Sequence, residues 1–222
     1  MPDDGNLHAY FGGTFDPVHN GHLHAARSAQ DALGLSCLHL VLAARPVHRQ
    51  PPQASAEDRW AMLQLAVAGT TTLVAEDLEL RRPGPSYTVD TLTELRQRHG
   101  QGASLVWLLG WDAFCTLDQW RDWQRILQLA HLVILRRPGA APDLSDSLQM
   151  ELSNREIGAV TALSEQPAGR ILTLPAPMEL VSASEVRIRL AEGANASDLL
   201  PFAVWSYINE HRLYRKVTPT QC

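Results

Sequence analysis

The sequence predicts an α/β fold built on a doubly wound parallel sheet, and three observations carry that expectation. Short apolar runs of strand length alternate with helix-patterned segments along the chain. A glycine-rich turn ends the first of these runs and leads into the first helix. The other chemically loaded segments also fall just past predicted strand ends, where open parallel sheets hold their ligands.

Leu7 to Phe11 is the first apolar run, and Gly12-Gly13-Thr14-Phe15-Asp16-Pro17-Val18-His19-Asn20-Gly21-His22 follows it. Gly12-Gly13 suits a tight turn where backbone approaches a ligand; from Gly21 the spacing of Leu23, Ala26, Ala29 and Leu33 is helical. Strand, glycine turn and helix start aim backbone N–H groups and the helix dipole at phosphate. His19 and His22, three apart at the helix entry, reach the same side of that turn. Asp16-Pro17 shapes it, since a residue before proline is pushed to extended geometry.

Leu38 to Ala43 is the second strand, with a Pro-rich basic loop from Arg45 to Pro52 at its end. Ser55 caps a helix bearing Glu57 and Asp58 in its first turn and Met62, Leu63, Leu65 and Ala66 on its apolar side. A third strand is expected at Thr71 to Ala75 and a loop from Glu76 to Pro85, broken by Pro83, Gly84 and Pro85. Thr88 to Arg98 is helical through Val89, Leu92 and Leu95, which puts Tyr87-Thr88 at a helix start. Ala103 to Leu109 is the most strand-like run and ends at Gly110-Trp111-Asp112; Asp118 to Leu129 reads as a helix carrying Trp120 and Trp123. His131 to Leu135 is a fifth strand, closed by Arg136-Arg137-Pro138-Gly139. Residues 140–169 are polar and mixed, the expected place for an insertion or mobile segment. Ile171 to Leu174 is the sixth strand; Val181 to Arg187 opens a helix running to Gly193, and a closing helix covers Phe202 to His211. Ser182 and Glu185 have capping-box spacing.

With 222 residues and 45% hydrophobic content, the chain can bury one full core, and a single domain over 1–222 is expected. A net charge of −5 and a pI near 6.0 argue against nucleic-acid-coating and membrane-surface proteins. No leader pattern or membrane-length apolar run stands in the sequence, so the expected location is cytoplasmic. Cys37, Cys115 and Cys222 form neither a disulfide framework nor a zinc pair, and the first two read as core thiols. Lys216 is the only lysine, and no Gly-Lys-Ser/Thr phosphate loop exists. Cations on a phosphate must therefore be arginine, histidine or a metal ion. The three-glycine dinucleotide fingerprint is also missing, which removes the main support for hydride transfer. A glycine turn, a histidine pair and arginines from separate loops suit phosphoryl or nucleotidyl transfer, where catalysis is positioning and charge stabilisation.

Gly12 to His22 resembles the GGxFDPxHxGH signature of bacterial nicotinate mononucleotide adenylyltransferases, in the HxGH nucleotidyltransferase superfamily. Ser86-Tyr87-Thr88 with Thr91-Leu92, Gly110 with Asp112 and Trp120, Arg137-Pro138-Gly139 and Ser182 to Arg187 resemble the later motifs of that family in the same order. The resemblance implies a Rossmann-like nucleotidyltransferase fold and a reaction of ATP, accompanied by Mg²⁺, with a pyridine mononucleotide to give a dinucleotide and pyrophosphate. It implies phosphate-binding, catalytic roles for His19 and His22. ATP contacts would come from Gly12, Gly13, Thr14, Phe15, Arg49, Gly110, Asp112, Arg137, Ser184 and Arg187. Mononucleotide contacts would come from His48, Tyr87, Thr88 and Trp120. No protein metal site is expected, and homo-oligomerisation stays open. Two stretches depart from the pattern. Pro46-Val47-His48-Arg49 stands where Pro-Pro-His-Lys is common, placing a planar fork where a point charge is usual. Ala183 and Ser184 stand where serine and threonine are usual. Other HxGH enzymes, such as pantetheine-phosphate adenylyltransferases or cytidylyltransferases, fit chain length, Tyr87, Trp120 and Ser184 less well; a silent nucleotide-sensing domain fits the intact histidine pair poorly.

Overall fold

The computed structural model describes residues 7–47, 51–136, 144–176 and 181–215. His48, Arg49 and Arg137 lie outside them. The chain runs β1 (Leu7–Gly13), α1 (Asn20–Leu33), β2 (Leu38–Leu42), α2 (Ala56–Val67), β3 (Leu73–Glu76), α3 (Leu78–Arg81), α4 (Thr88–His99) and β4 (Ser104–Gly110). It continues through α5 (Trp111–Phe114), α6 (Trp123–Leu129), β5 (His131–Arg136), α7 (Asp146–Arg155), β6 (Glu156–Ile157), β7 (Ile171–Pro175), α8 (Ala183–Ala191) and α9 (Phe202–Glu210).

All pairings among these strands are parallel, in the order β3-β2-β1-β4-β5-β7-β6. The chain thus winds outward from β1 in one direction and from β4 in the other, which opens a crevice between the carboxyl ends of β1 and β4. Helices cover both faces, so alternate residues of a central strand enter different cores. Ala9 and Phe11 of β1 join Val106 and Leu108 of β4 under α1, α2, α8 and α9, while Tyr10 joins Leu105, Trp107 and Leu109 under α4 and α6. Burial on both sides is why these strands read as unbroken apolar runs.

Several expectations change. β1 runs on through Gly12 and Gly13, which pair with Val41 and Leu42; the glycines are strand as well as turn. The 76–85 stretch contains the one-turn α3, tied by an Arg81–Asp77 ion pair at 2.9 Å and by buried Leu78. The expected helix from Asp118 is broken. A 3₁₀ turn spans Leu117–Gln119, Trp120 is extended, Asp122 is left-handed at φ 48°, and α6 begins only at Trp123. Trp120 and Arg121 instead form a wall of the cleft, a tertiary demand that overrides helical spacing. Between them, α7, β6 and a 3₁₀ stretch (Val160–Glu165) occupy most of 144–169 and add a seventh strand at the sheet edge. Leu148 and Leu163 of this segment are fully buried, Ser104 donates to the Leu163 carbonyl at 2.6 Å, and buried Arg96 donates to the carbonyls of Ala103, Leu129 and Pro167. Cys37 and Cys115 are half-buried rather than core.

Candidate active site

The β1–α1 turn is set by bonds from every side. Phe15 takes a left-handed conformation (φ 47°), and the buried carboxylate of Asp16 accepts the N–H groups of Gln53 and Ala54 and the hydroxyl of Tyr214, at 2.8, 3.1 and 2.8 Å. Burial and the neighbouring carboxylate push the Tyr214 hydroxyl far above its ordinary pKa, so it stays a donor. Arg187 of α8 donates to the Asp16 carbonyl at 2.7 Å and to the Ser184 hydroxyl at 3.2 Å. From below, Arg59 of α2 donates to the carbonyls of Thr14, Ala43, Ala44 and Ala54. One guanidinium thus joins the turn to the end of β2.

His19 is the N-cap of α1, and His22 sits at its third helical position. The two rings stack with centroids 3.7 Å apart, and Phe15 packs edge-on against His22 at 5.0 Å. The His19 backbone N–H donates to His22 Nδ1 at 3.3 Å. In the neutral imidazole that bond leaves the proton on Nε2, making the outer ring nitrogen a donor. Gly21 sits in tight quarters: a β-carbon there would stand 3.1 Å from His19 Nδ1 and 3.3 Å from the Val181 carbonyl oxygen, so the His19 ring would have to give by a few tenths of an ångström.

Across the crevice, Tyr87 is the extended N-cap of α4 and Thr88 its first residue, so the first N–H groups of that helix lack intrahelical acceptors. The segment is pinned to the β2 loop: Ser86 N–H donates to the Arg45 carbonyl and Arg45 N–H to the Ser86 hydroxyl, both at 2.9 Å. Beneath it, Glu79 accepts the Thr91 hydroxyl at 2.6 Å and Arg82 donates to the same hydroxyl at 3.0 Å. At the end of β4, Gly110 caps α5 and Asp112 is exposed in its first turn. The Ser182 hydroxyl caps α8 by accepting the Glu185 N–H at 3.1 Å, but the Glu185 carboxylate reaches forward to Arg189 rather than back, so half of the expected capping box forms.

These parts face one cleft of about 790 Å³. Every sequence-predicted site residue among the described ones lines it: Gly12, Gly13, Thr14, Phe15, His19 and His22 from the β1–α1 turn, Tyr87 and Thr88 from α4, Gly110, Asp112 and Trp120 from the segment after β4, and Ser184 and Arg187 from α8. Sequence reading missed Arg59, Glu79, Arg121 and Tyr214. Arg59 had a signal, since it precedes Met62 and Leu63 by three and four positions and so shares the buried helix face. Among the described residues no group of His, Cys, Asp or Glu is arranged to hold a metal ion.

Comparison with known proteins agrees with this geometry. The model of the cytidylyltransferase-like family matches residues 10–189. A Pseudomonas fluorescens protein named a probable nicotinate-nucleotide adenylyltransferase is 45% identical over 204 residues, covering 92% of this chain and 95% of its own. One of the same name from Pectobacterium atrosepticum is 41% identical, covering 95% and 99%. Among solved structures, a Plasmodium falciparum nicotinic acid mononucleotide adenylyltransferase complexed with NaAD superposes with a TM-score of 0.72 at 16% identity, over 94% of this chain and 97% of that one; at that identity it bears on the fold alone. The chain belongs to the cytidylyltransferase-like family and, within it, to the nicotinate-nucleotide adenylyltransferases.

Proposed function

We infer that this enzyme transfers the adenylyl group of ATP to nicotinate mononucleotide, forming nicotinate adenine dinucleotide and pyrophosphate in NAD biosynthesis. The observation that carries the reading is the convergence of the β1–α1 turn, the α4 start, the β4 end and the α8 start on a single cleft. The acceptor's phosphate oxygen attacks the α-phosphorus directly, the bond to the β-phosphate bridging oxygen breaks, and pyrophosphate leaves with that electron pair. No covalent enzyme intermediate is needed. His19 and His22 donate hydrogen bonds to the phosphates and stabilise the charge that grows on them; the bond from the His19 N–H to Nδ1 holds the His22 ring in place for this. Gly12, Gly13, Thr14 and Phe15 give the triphosphate room and backbone donors, and Ser184 and Arg187 at the α8 start hold its far end. Gly110 and Asp112 receive the adenosine ribose. Tyr87 and Thr88 present helix-start N–H groups to the acceptor's carboxylate, and Trp120 offers the pyridine ring a flat face. Arg49, His48 and Arg137 are assigned to phosphate and mononucleotide contacts on sequence grounds alone.

Mg²⁺ fits this site as a companion of ATP. The ion would be held mainly by phosphate oxygens and water, as Mg²⁺ prefers, and would offset charge on the triphosphate. We place the enzyme in the cytoplasm; no helix of the described residues is long and apolar enough to cross a membrane.

The test is direct. Purified protein given ATP, Mg²⁺ and nicotinate mononucleotide should release pyrophosphate and form the dinucleotide. His22→Ala should lower kcat about a hundredfold or more with an unchanged circular dichroism spectrum. Failure to turn over any pyridine mononucleotide would defeat the assignment.

A further inference from the structure

The acceptor side of the cleft holds a cation that the chemistry above leaves unused. Arg121 follows Trp120, lines the cleft with Tyr87 and Thr88, and places its guanidinium carbon 4.8 Å from the centre of the Tyr87 ring. A guanidinium laid on an aromatic face keeps its planar fork of N–H donors pointing outward from the ring edge. Among the described residues this fork makes no hydrogen bond. Its acidic neighbours are ion pairs too long for one, Asp90 at 3.7 Å from Nη1 and Asp122 at 3.9 Å from Nε. The side chain is 54% exposed, so exposed ion pairing of this kind adds little stability.

Asp90 sharpens the need for a cation here. It stands in the first turn of α4, beside the N–H groups offered to the acceptor, where its charge opposes an arriving carboxylate. Arg121 lies against both Asp90 and Tyr87, and so offsets that repulsion where the ring substituent is read.

We propose that Arg121 is a specificity-determining residue: its guanidinium, held over Tyr87, takes the ring carboxylate of the acid mononucleotide and so distinguishes it from the amide. The proposal rests on the adenylyl-transfer reading given above. Trp120, Arg121, Tyr87 and Thr88 line the same cleft, so a pyridine ring on Trp120 shares that space with the Arg121 fork. A carboxylate accepts two parallel N–H groups from the fork, whereas a carboxamide offers one oxygen and turns its own N–H donors toward a cation. The acceptor's 5′-phosphate is common to acid and amide, so contact with it cannot separate them.

The experiment measures kcat and KM for nicotinate and nicotinamide mononucleotides, with saturating ATP and Mg²⁺, in the wild type, R121Q and R121K. R121Q should lower the acid-to-amide ratio of kcat/KM about tenfold or more, through KM for the acid rather than kcat. R121K keeps the charge without the planar fork and should recover part of the ratio. Equal losses on both substrates would assign Arg121 to the shared phosphate or to folding and overturn the proposal, as would an unchanged ratio. A wild type inert toward both mononucleotides would be a different failure, defeating adenylyl transfer itself and this proposal with it.

Discussion

Trp107 leaves no room for a β-carbon at position 12: one built there would stand 2.2 Å from its Cζ2 atom. Gly12 therefore answers to the sheet as well as to a ligand. Gly12→Ala should cost about 1–3 kcal/mol through overpacking, read as a lower urea midpoint at unchanged slope, with a fall in pyrophosphate release as the turn shifts. The glycine was legible as a site feature because it sits in a dense local motif. Its packing partner was not, because Trp107 is far along the chain and meets it only through the β1–β4 pairing. The same distinction separates His19 and His22, whose spacing named them, from Tyr214, whose bond to Asp16 spans 198 positions and has no local pattern.

Elements with strong periodicity and clear punctuation were legible: β1, α1, β2, α2, α4, β4, β5 and α9 lie where the apolar spacing puts them, with boundaries shifted by a few residues. Where a side chain serves the cleft, periodicity misleads, and the segment from Leu117 to Asp122 leaves helix geometry to present Trp120 and Arg121. Residues 144–169 gave no period because their elements are short and lean on neighbours; the two residues of β6 pair only with β7. In α2, Arg59 is a fully buried connector that the sequence reading passed over. Arg59→Met should leave the carbonyls of Thr14, Ala43 and Ala44 without this donor and cost about 3 kcal/mol or more, measurable by urea denaturation. Arg59→Lys cannot reach as many carbonyls with a compact ammonium and should recover only part of that loss.

For the molecule as a whole, stability should depend on pH through a histidine group at the amino end of β1, opposite the strand ends that form the cleft. His99 stacks on His8 with ring centroids 3.9 Å apart, and its Nε2 is hydrogen-bonded to the Tyr10 hydroxyl at 2.7 Å. Burial pushes the Tyr10 hydroxyl up to about 12, with Glu76 adding to it, so it stays protonated throughout this range. Burial first, then the charges of His8, Arg98, His39 and Arg96, holds His99 down at about 4 against an ordinary 6.5. His8 is lowered in the same direction by burial, His39 and Arg96. Between pH 6.5 and 4 the unfolded chain thus takes up a proton that folded His99 refuses; the stability is present above that window and is lost as pH falls through it. Melting temperatures at pH 7 and 5 should fall in that order, with a smaller difference in His99→Gln. The doubly wound topology was legible from alternation alone, and with it the side of the sheet that holds the cleft, since that follows from strand direction. The ties among Asp16, Arg187 and Tyr214 have a further consequence for how the protein is made. The motif that names the chemistry leaves the ribosome well before its partners, and its carbonyl and carboxylate wait for residues 171 and 198 positions downstream. During synthesis the nascent chain carries a complete signature without the bonds that shape it, and those close only once α8 and Tyr214 have been delivered.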